Sequence, residues 1–285
     1  MKSSVKFPGA LLCCFLLLFG PLLAAGQAPA APAAPAAPDS SAGWEFRFEA
    51  YQRTSYLARE YGNYDYSLNP QVSYSATNGL YGTLEGLFFS PVQPAYVYTS
   101  LELGYAGQLG ERWTYSFSGS RTFYNGRIDK REVVLRNCLE AFAQYELGPL
   151  ALELDYNFLF DRLQAHSLGL TVSAPFEKNH CLGFDKVRFT PSAEVDWGSA
   201  LTLLRFGSLT TSLGQSTTNA ANRSDLQLLP LAYEFSFPLE VQRGNVAFNF
   251  GGHLLIPIRL PAETPSPFAF GYLSAALILR LPPRE

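Results

Sequence analysis

Carboxylates recur two residues apart along this chain, at Glu153 and Asp155 and again at Glu194 and Asp196. Glu132, Glu140, Glu146, Asp161, Glu234 and Glu240 occupy comparable positions in other alternating stretches. Paired carboxylates can work as acid and base on a glycosidic bond, or they can line an aqueous passage. The cations set against them are Arg136, Arg188, Arg259 and Arg47. The imidazoles are His166, His180 and His253. His166 has Ser167 beside it and Asp161 five residues earlier, which are the residue types of a hydrolytic set. Neighbours on a strand point to opposite faces, so His166 and Ser167 do not combine as base and nucleophile. His180 and Cys181 are adjacent, but two side chains do not make a metal site. His253 reads as a hydrogen-bonded, inward-facing histidine. No Walker-type or dinucleotide glycine pattern occurs, so no catalytic residues and no cofactor are expected.

What must position these residues is a set of strands. Residues 150–161 read LALELDYNFLFD, with Leu150, Leu152, Leu154, Tyr156, Phe158 and Phe160 on one face and Glu153, Asp155, Asn157 and Asp161 on the other. A half-buried strand of a secreted sandwich has that pattern, and so does a strand with lipid outside and a wet lumen inside. Twelve such period-two segments can be placed, at 44–54, 69–76, 80–89, 96–106, 113–124, 132–147, 150–161, 165–176, 187–197, 231–242, 245–259 and 268–281. Boundaries uncertain by a few residues admit ten to fourteen strands.

The connections discriminate between the two readings. Turns at 77–79, 108–111, 147–149 and 243–244 are tight, while 55–68, 90–95, 125–131 and above all 198–230 are longer or more polar. The link 177–186 is long for its rim and 162–164 short for its own. Short turns at one rim and long loops at the other are the pattern of an outer-membrane barrel. A sandwich has no reason to sort its loops by parity. Pro191, Pro238 and Pro257 fall inside segments and demand breaks or bulges there.

Composition agrees. Aromatic residues make up 14% and charged residues only 16% of the chain, with 16 Tyr, 22 Phe and 23 Gly. Mean hydropathy is nonetheless near zero, at +0.02. Strands that average a lipid face with a lumen face have this profile. A net charge of −3 without a basic cluster gives no reason to expect nucleic acid. Residues 1–26, with Lys2 and Lys6 before an apolar run too short to span a bilayer, read as a cleaved signal peptide. Residues 27–43, rich in Ala and Pro, read as an extended tether, leaving 44–285 for the barrel. An exported chain permits a disulfide between Cys138 and Cys181, with free thiols the default.

The C-terminal third, with FTPSAEVDWG, a long polar loop, YEFSFPLEVQRGNVAFNF, LLIPIRLP and FAFGYLSAALILRL in that order, resembles a porin-like or transporter-like group of Gram-negative outer-membrane β-barrels of unassigned function. The resemblance spans about 90 residues; it implies a barrel and an outer-membrane location, and no activity. The last strand also resembles the signal that barrel-assembly machinery reads, through Tyr272, Ser274, Leu277 and Leu279, although the chain ends on Pro282, Pro283, Arg284 and Glu285 instead of an aromatic.

The expectation is thus an all-β, closed antiparallel transmembrane barrel of about twelve strands. Its lumen would receive Glu132, Arg136, Glu140, Glu153, Asp155, Arg188, Glu194, Asp196, Glu234, Glu240, His253 and Arg259. It would act as a passive channel for ions or small solutes with an acidic lumen, a non-conducting structural or ligand-binding barrel being the rival and a lipid hydrolase the lesser alternative. Its partners would be outer-membrane lipids and the assembly machinery.

Overall fold

The computed structural model describes residues 42–52, 55–56, 59–60, 66–90, 96–125, 135–161, 164–199, 228–259 and 268–282. The expected signal peptide, nearly all of the tether, Glu132 and most of the 198–230 loop lie outside the described residues. Among those residues all regular structure is β, and no helix is long and apolar enough to cross a membrane.

Twelve strands make one antiparallel sheet that closes on itself. They are β1 (Gly43–Tyr51), β2 (Tyr66–Ser75), β3 (Leu80–Ser90), β4 (Tyr96–Leu109), β5 (Trp113–Tyr124), β6 (Asn137–Leu147) and β7 (Leu150–Phe160). Then β8 runs Gln164–Ser173 and, after a break at 174–175, Phe176–Cys181. Its partner β9 runs Phe184–Phe189 and, after a break at 190–191, Ser192–Gly198. The set ends with β10 (Leu229–Arg243), β11 (Val246–Pro257) and β12 (Phe270–Leu281). A further two-residue ladder, Ser55–Tyr56 with Arg59–Glu60, stands in the β1–β2 connection. Sequential strands pair with each other, and β1 closes on β12 from Trp44 opposite Leu281 to Tyr51 opposite Ser274. Closure pairs the backbone of each strand within the wall, as an environment without water requires. Gly110 and Gly148 take φ of 67° and 61° in two of the tight turns, a conformation that glycine adopts without strain.

Two sequence expectations change here. Residues 177–186, read as an over-long link, form a hairpin of two strand segments joined by a turn at 182–183, and they extend β8–β9 beyond the start of β7. The extension pairs with β10 on one side, from Lys186 opposite Gln242 to Phe189 opposite Leu239. Its other edge carries exposed Lys178, Asn179 and His180, the side chains of an edge that meets water. Asp185 ties its tip to the neighbouring turn, accepting from the Gly244 N–H at 2.6 Å. The prolines also find their places. Pro191 lies in the β9 break, Pro238 faces that same break from β10, and the Thr190 N–H donates to the Pro238 carbonyl at 3.0 Å. The two missing donors thus coincide at one gap in the ladder, and Pro257 ends its strand.

Side chains alternate outward and inward. Trp44, Phe46, Phe48, Leu103, Phe117, Leu152, Leu154, Phe248 and Phe250 are exposed on the outer face, Leu103 by 64%. Gln144, Ser173 and Ile278 on the inner face are 3%, 2% and 1% exposed. Trp44 meets Tyr74 at 4.9 Å and Trp113 meets Tyr145 at 4.8 Å at the short-turn rim, where a membrane-interface girdle belongs. Toward the long-loop rim buried apolar side chains gather in three groups. One is Leu87, Phe89, Val97 and Tyr98; another is Leu135, Cys138, Leu159 and Ala165; the third is Ala232, Leu255 and Phe270 with Tyr272 packed against them. Apolar side chains therefore crowd one end of a barrel whose inner face was expected to be polar throughout.

Candidate functional site: the barrel lumen

The half of the lumen nearer the short turns holds a cavity of about 410 Å³, lined by Glu45, Arg47, Tyr81, Glu102, Glu153, Arg188, Glu240 and Arg280 among hydroxyl side chains. Its three arginines come from inward positions of β1, β9 and β12. Each is paired. Arg47 Nε lies 3.2 Å from Glu49 Oε2, and Arg280 Nε lies 3.0 Å from Glu45 Oε2. Arg188 donates through Nε and Nη2 to Glu177 Oε2 at 2.9 and 2.8 Å, and Lys186 Nζ reaches the same oxygen at 2.8 Å. Arg280 Nη2 also approaches Glu240 Oε2 at 3.9 Å. Charge-assisted pairs of this kind hold long side chains against the wall. Tyr81 donates to Glu102 and Tyr98 to Glu85, both at 2.9 Å.

Above this layer the carboxylates converge. Gly169 on β8 lies opposite Asp155 on β7 and Asp196 on β9. A Cβ at Gly169 would sit 3.1 Å from Glu194 Oε1 and 3.7 Å from both Asp155 Cβ and Asp196 Oδ1. The absent side chain leaves the space into which these groups lean. Glu234 on β10 is directly opposite Glu194. Asn157 donates to Asp155, and Ser173 donates to Glu153 at 3.3 Å. Among the described residues no group of three or more His, Cys, Asp and Glu side chains has a metal-holding arrangement.

His253 stands beside the carboxylates. Its Nδ1 is 2.9 Å from Glu234 Oε1 and 3.0 Å from Ser236 Oγ, and its Nε2 is 3.0 Å from Ser274 Oγ. Tyr272 stacks on the imidazole with ring centres 4.4 Å apart and planes 4° from parallel. The register explains the meeting: His253 is opposite Ser236 across β10–β11 and opposite Tyr272 across β11–β12.

Of the residues singled out from sequence, Glu140, Glu153, Asp155, Arg188, Glu194, Asp196, Glu234, Glu240 and His253 sit on inward-facing positions of their strands. Two do not. Arg136 precedes β6 and lies 3.6 Å from Asp161 at the long-loop rim, about half exposed, and Arg259 lies exposed beyond the end of β11. In both cases the alternating pattern was extended past the true strand end. Glu132 lies outside the described residues. Cys138 and Cys181 form no disulfide with each other. Cys138 is near the long-loop end of β6 and Cys181 at the tip of the opposite rim's hairpin, so the length of the barrel separates them, and Cys138 Sγ instead donates to Asn157 at 3.2 Å. Glu45, Glu177, Arg280, Ser236 and Ser274 are lumen residues that the sequence reading does not place in the lumen. Arg280 and Ser274 had a usable signal, since they alternate with Leu273, Leu277 and Leu281 on β12. Glu177 had none, because it was assigned to a loop.

No family model matches the chain, and no curated protein sequence matches it to a significant degree. Solved structures do. The NanC porin superposes with a TM-score of 0.49 at 12% identity, covering 84% of this chain and 100% of its own. The KdgM porin gives 0.45 at 10% identity over 83% of this chain and 98% of its own. LpxR from Salmonella typhimurium gives 0.46 at 10% identity over 82% and 99%. The barrel itself is established by this chain's own strand register: the protein is a closed β-barrel of the outer-membrane type, with its apolar side chains outside.

Proposed function

We propose that the protein is a passive channel of the outer membrane, exported by its signal peptide, with an acidic lumen that favours cations and neutral polar solutes. One observation carries this reading: a closed wall that is apolar outside surrounds a cavity of about 410 Å³ lined by acidic, basic and hydroxyl side chains. Asp155, Glu194, Asp196 and Glu234 stand close together on inward positions of β7, β9 and β10, an acidic grouping that favours a cation at that level. Outer-membrane lipids contact the outward face in this reading, and β12 presents the strand that assembly machinery reads. Folded protein added to planar bilayers conducts in discrete steps, and under a KCl gradient its reversal potential has the sign of potassium preference. Silence from protein whose folded state is verified by heat-modifiable gel mobility removes the channel.

The rival is a non-conducting barrel. It is supported by the ion pairs that brace the short-turn half and by the apolar groups that crowd the long-loop rim. The same bilayer measurement separates the two readings.

A further inference from the structure

We propose that Ser274, His253 and Glu234 form a hydrolytic site inside the lumen that cleaves short-chain carboxylic esters carried on neutral or cationic polar molecules. The geometry is that of a nucleophile, a base and an orienting acid. Ser274 Oγ lies 3.0 Å from His253 Nε2, and Glu234 Oε1 lies 2.9 Å from His253 Nδ1. With Nδ1–H donated to the carboxylate, Nε2 is the free acceptor for the serine proton. Two further contacts hold this arrangement: Ser236 Oγ donates to Glu234 Oε1 at 2.9 Å, and Tyr272 stacks flat on the imidazole.

Gly251 supplies an independent observation. A Cβ there would lie 2.5 Å from Ser274 Oγ and 2.6 Å from His253 Nε2, so any other residue would drive the pair apart. The three side chains come from three adjacent strands, β10, β11 and β12, and none is fully buried. The short-turn cavity reaches Pro238 and Asn249, one inward position below Ser236 and Gly251. A solute in the cavity therefore lies one inward position from Gly251, the residue opposite Ser274. The substrate class follows from the surroundings. Ala232, Leu255 and Phe270 are packed closed above Tyr272, which leaves no slot for a long acyl chain. Glu194 and Asp196 beside Glu234 repel anionic esters.

In the reaction Ser274 Oγ attacks the ester carbonyl while its proton passes to His253 Nε2. The carbon–oxygen bond to the alcohol breaks, the alcohol leaves with that proton, and the acyl group remains on Ser274. Water then attacks the acyl-serine with His253 as base, releasing the carboxylic acid and restoring the hydroxyl. Glu234 does not touch the substrate; it is a positioning residue.

The test uses the full-length folded barrel in detergent micelles, with p-nitrophenyl acetate and a fluorophosphonate as probes. The fluorophosphonate adduct maps to Ser274 by peptide mass spectrometry. Hydrolysis falls by about 10²-fold or more in Ser274→Ala and in His253→Gln, the range for loss of a general base. Glu234→Gln lowers kcat, leaves KM unchanged and alters the pH profile, which a merely structural carboxylate would not do. Gly251→Ala abolishes labelling. Absence of the adduct from Ser274 in folded wild-type protein overturns the proposal, as does equal hydrolysis by wild type and Ser274→Ala. Labelling is scored on wild-type barrel whether or not that barrel conducts, so failure of this site and failure of the channel reading are distinct results.

Discussion

Leu154 and Asp155 are neighbours in the chain and meet different media. Leu154 is 44% exposed on the outer face, while Asp155 accepts from Asn157 on the inner one. Leu154→Arg places a guanidinium in hydrocarbon at a cost of about 2–4 kcal/mol near mid-depth, and heat-modifiable folded protein in membranes falls sharply. Asp155→Asn keeps shape and hydrogen bonding, so the barrel assembles at wild-type yield and only ion preference or the internal network changes. If both variants assemble equally well in bilayers, the assignment of faces is wrong. At the same scale, the double variant Glu194→Gln with Asp196→Asn replaces two acids of the upper carboxylate group by amides. Its reversal potential under a KCl gradient moves toward zero relative to wild type, with folding unaffected.

At the scale of the element, the extended β8–β9 hairpin joins structure to the lumen. Its Glu177 is the shared acceptor for Arg188 and Lys186, with side-chain exposures of only 11%, 15% and 27%. Removing it by Glu177→Ala leaves two cations without their acceptor beside the lumen cavity, which destabilises the barrel by about 1–3 kcal/mol in urea unfolding. Lys186→Ala, which takes away one of two donors, costs much less. Asp185→Ala frees the tip: the Gly244 amide exchanges faster with solvent while the unfolding midpoint stays at the wild-type value, because that contact lies outside the closed wall.

The whole molecule depends on one seam. Residues Trp44 through Tyr51 pair with Leu281 through Ser274, so the first and last strands complete each other. A chain lacking residues 268–285 leaves β1 and β11 with unpaired backbone facing lipid, where each unsatisfied group costs several kcal/mol. Such a chain yields no heat-modifiable species on gels, even with all the other strands intact. Closure also makes the lumen: carboxylates from β7, β9 and β10, far apart in sequence, become one group because the wall curves around them.

Sequence by itself determined a barrel of about twelve antiparallel strands and which faces look outward, from period-two alternation in segments such as LALELDYNFLFD and from loops that lengthen at one rim. These are local properties, since alternation follows from the pleat of each strand taken singly. It overran where the pattern outlasts the strand, at Arg136 and Arg259, and it missed the hairpin carrying Glu177, because Lys178, Asn179 and His180 at a water-exposed edge look like a loop. Only the tertiary structure decided what meets across the lumen. Arg280 with Glu45, Arg188 with Glu177, and His253 between Glu234 and Ser274 all depend on inter-strand register and on closure. Register is set by how twelve strands fit into one closed wall, and no single strand contains it.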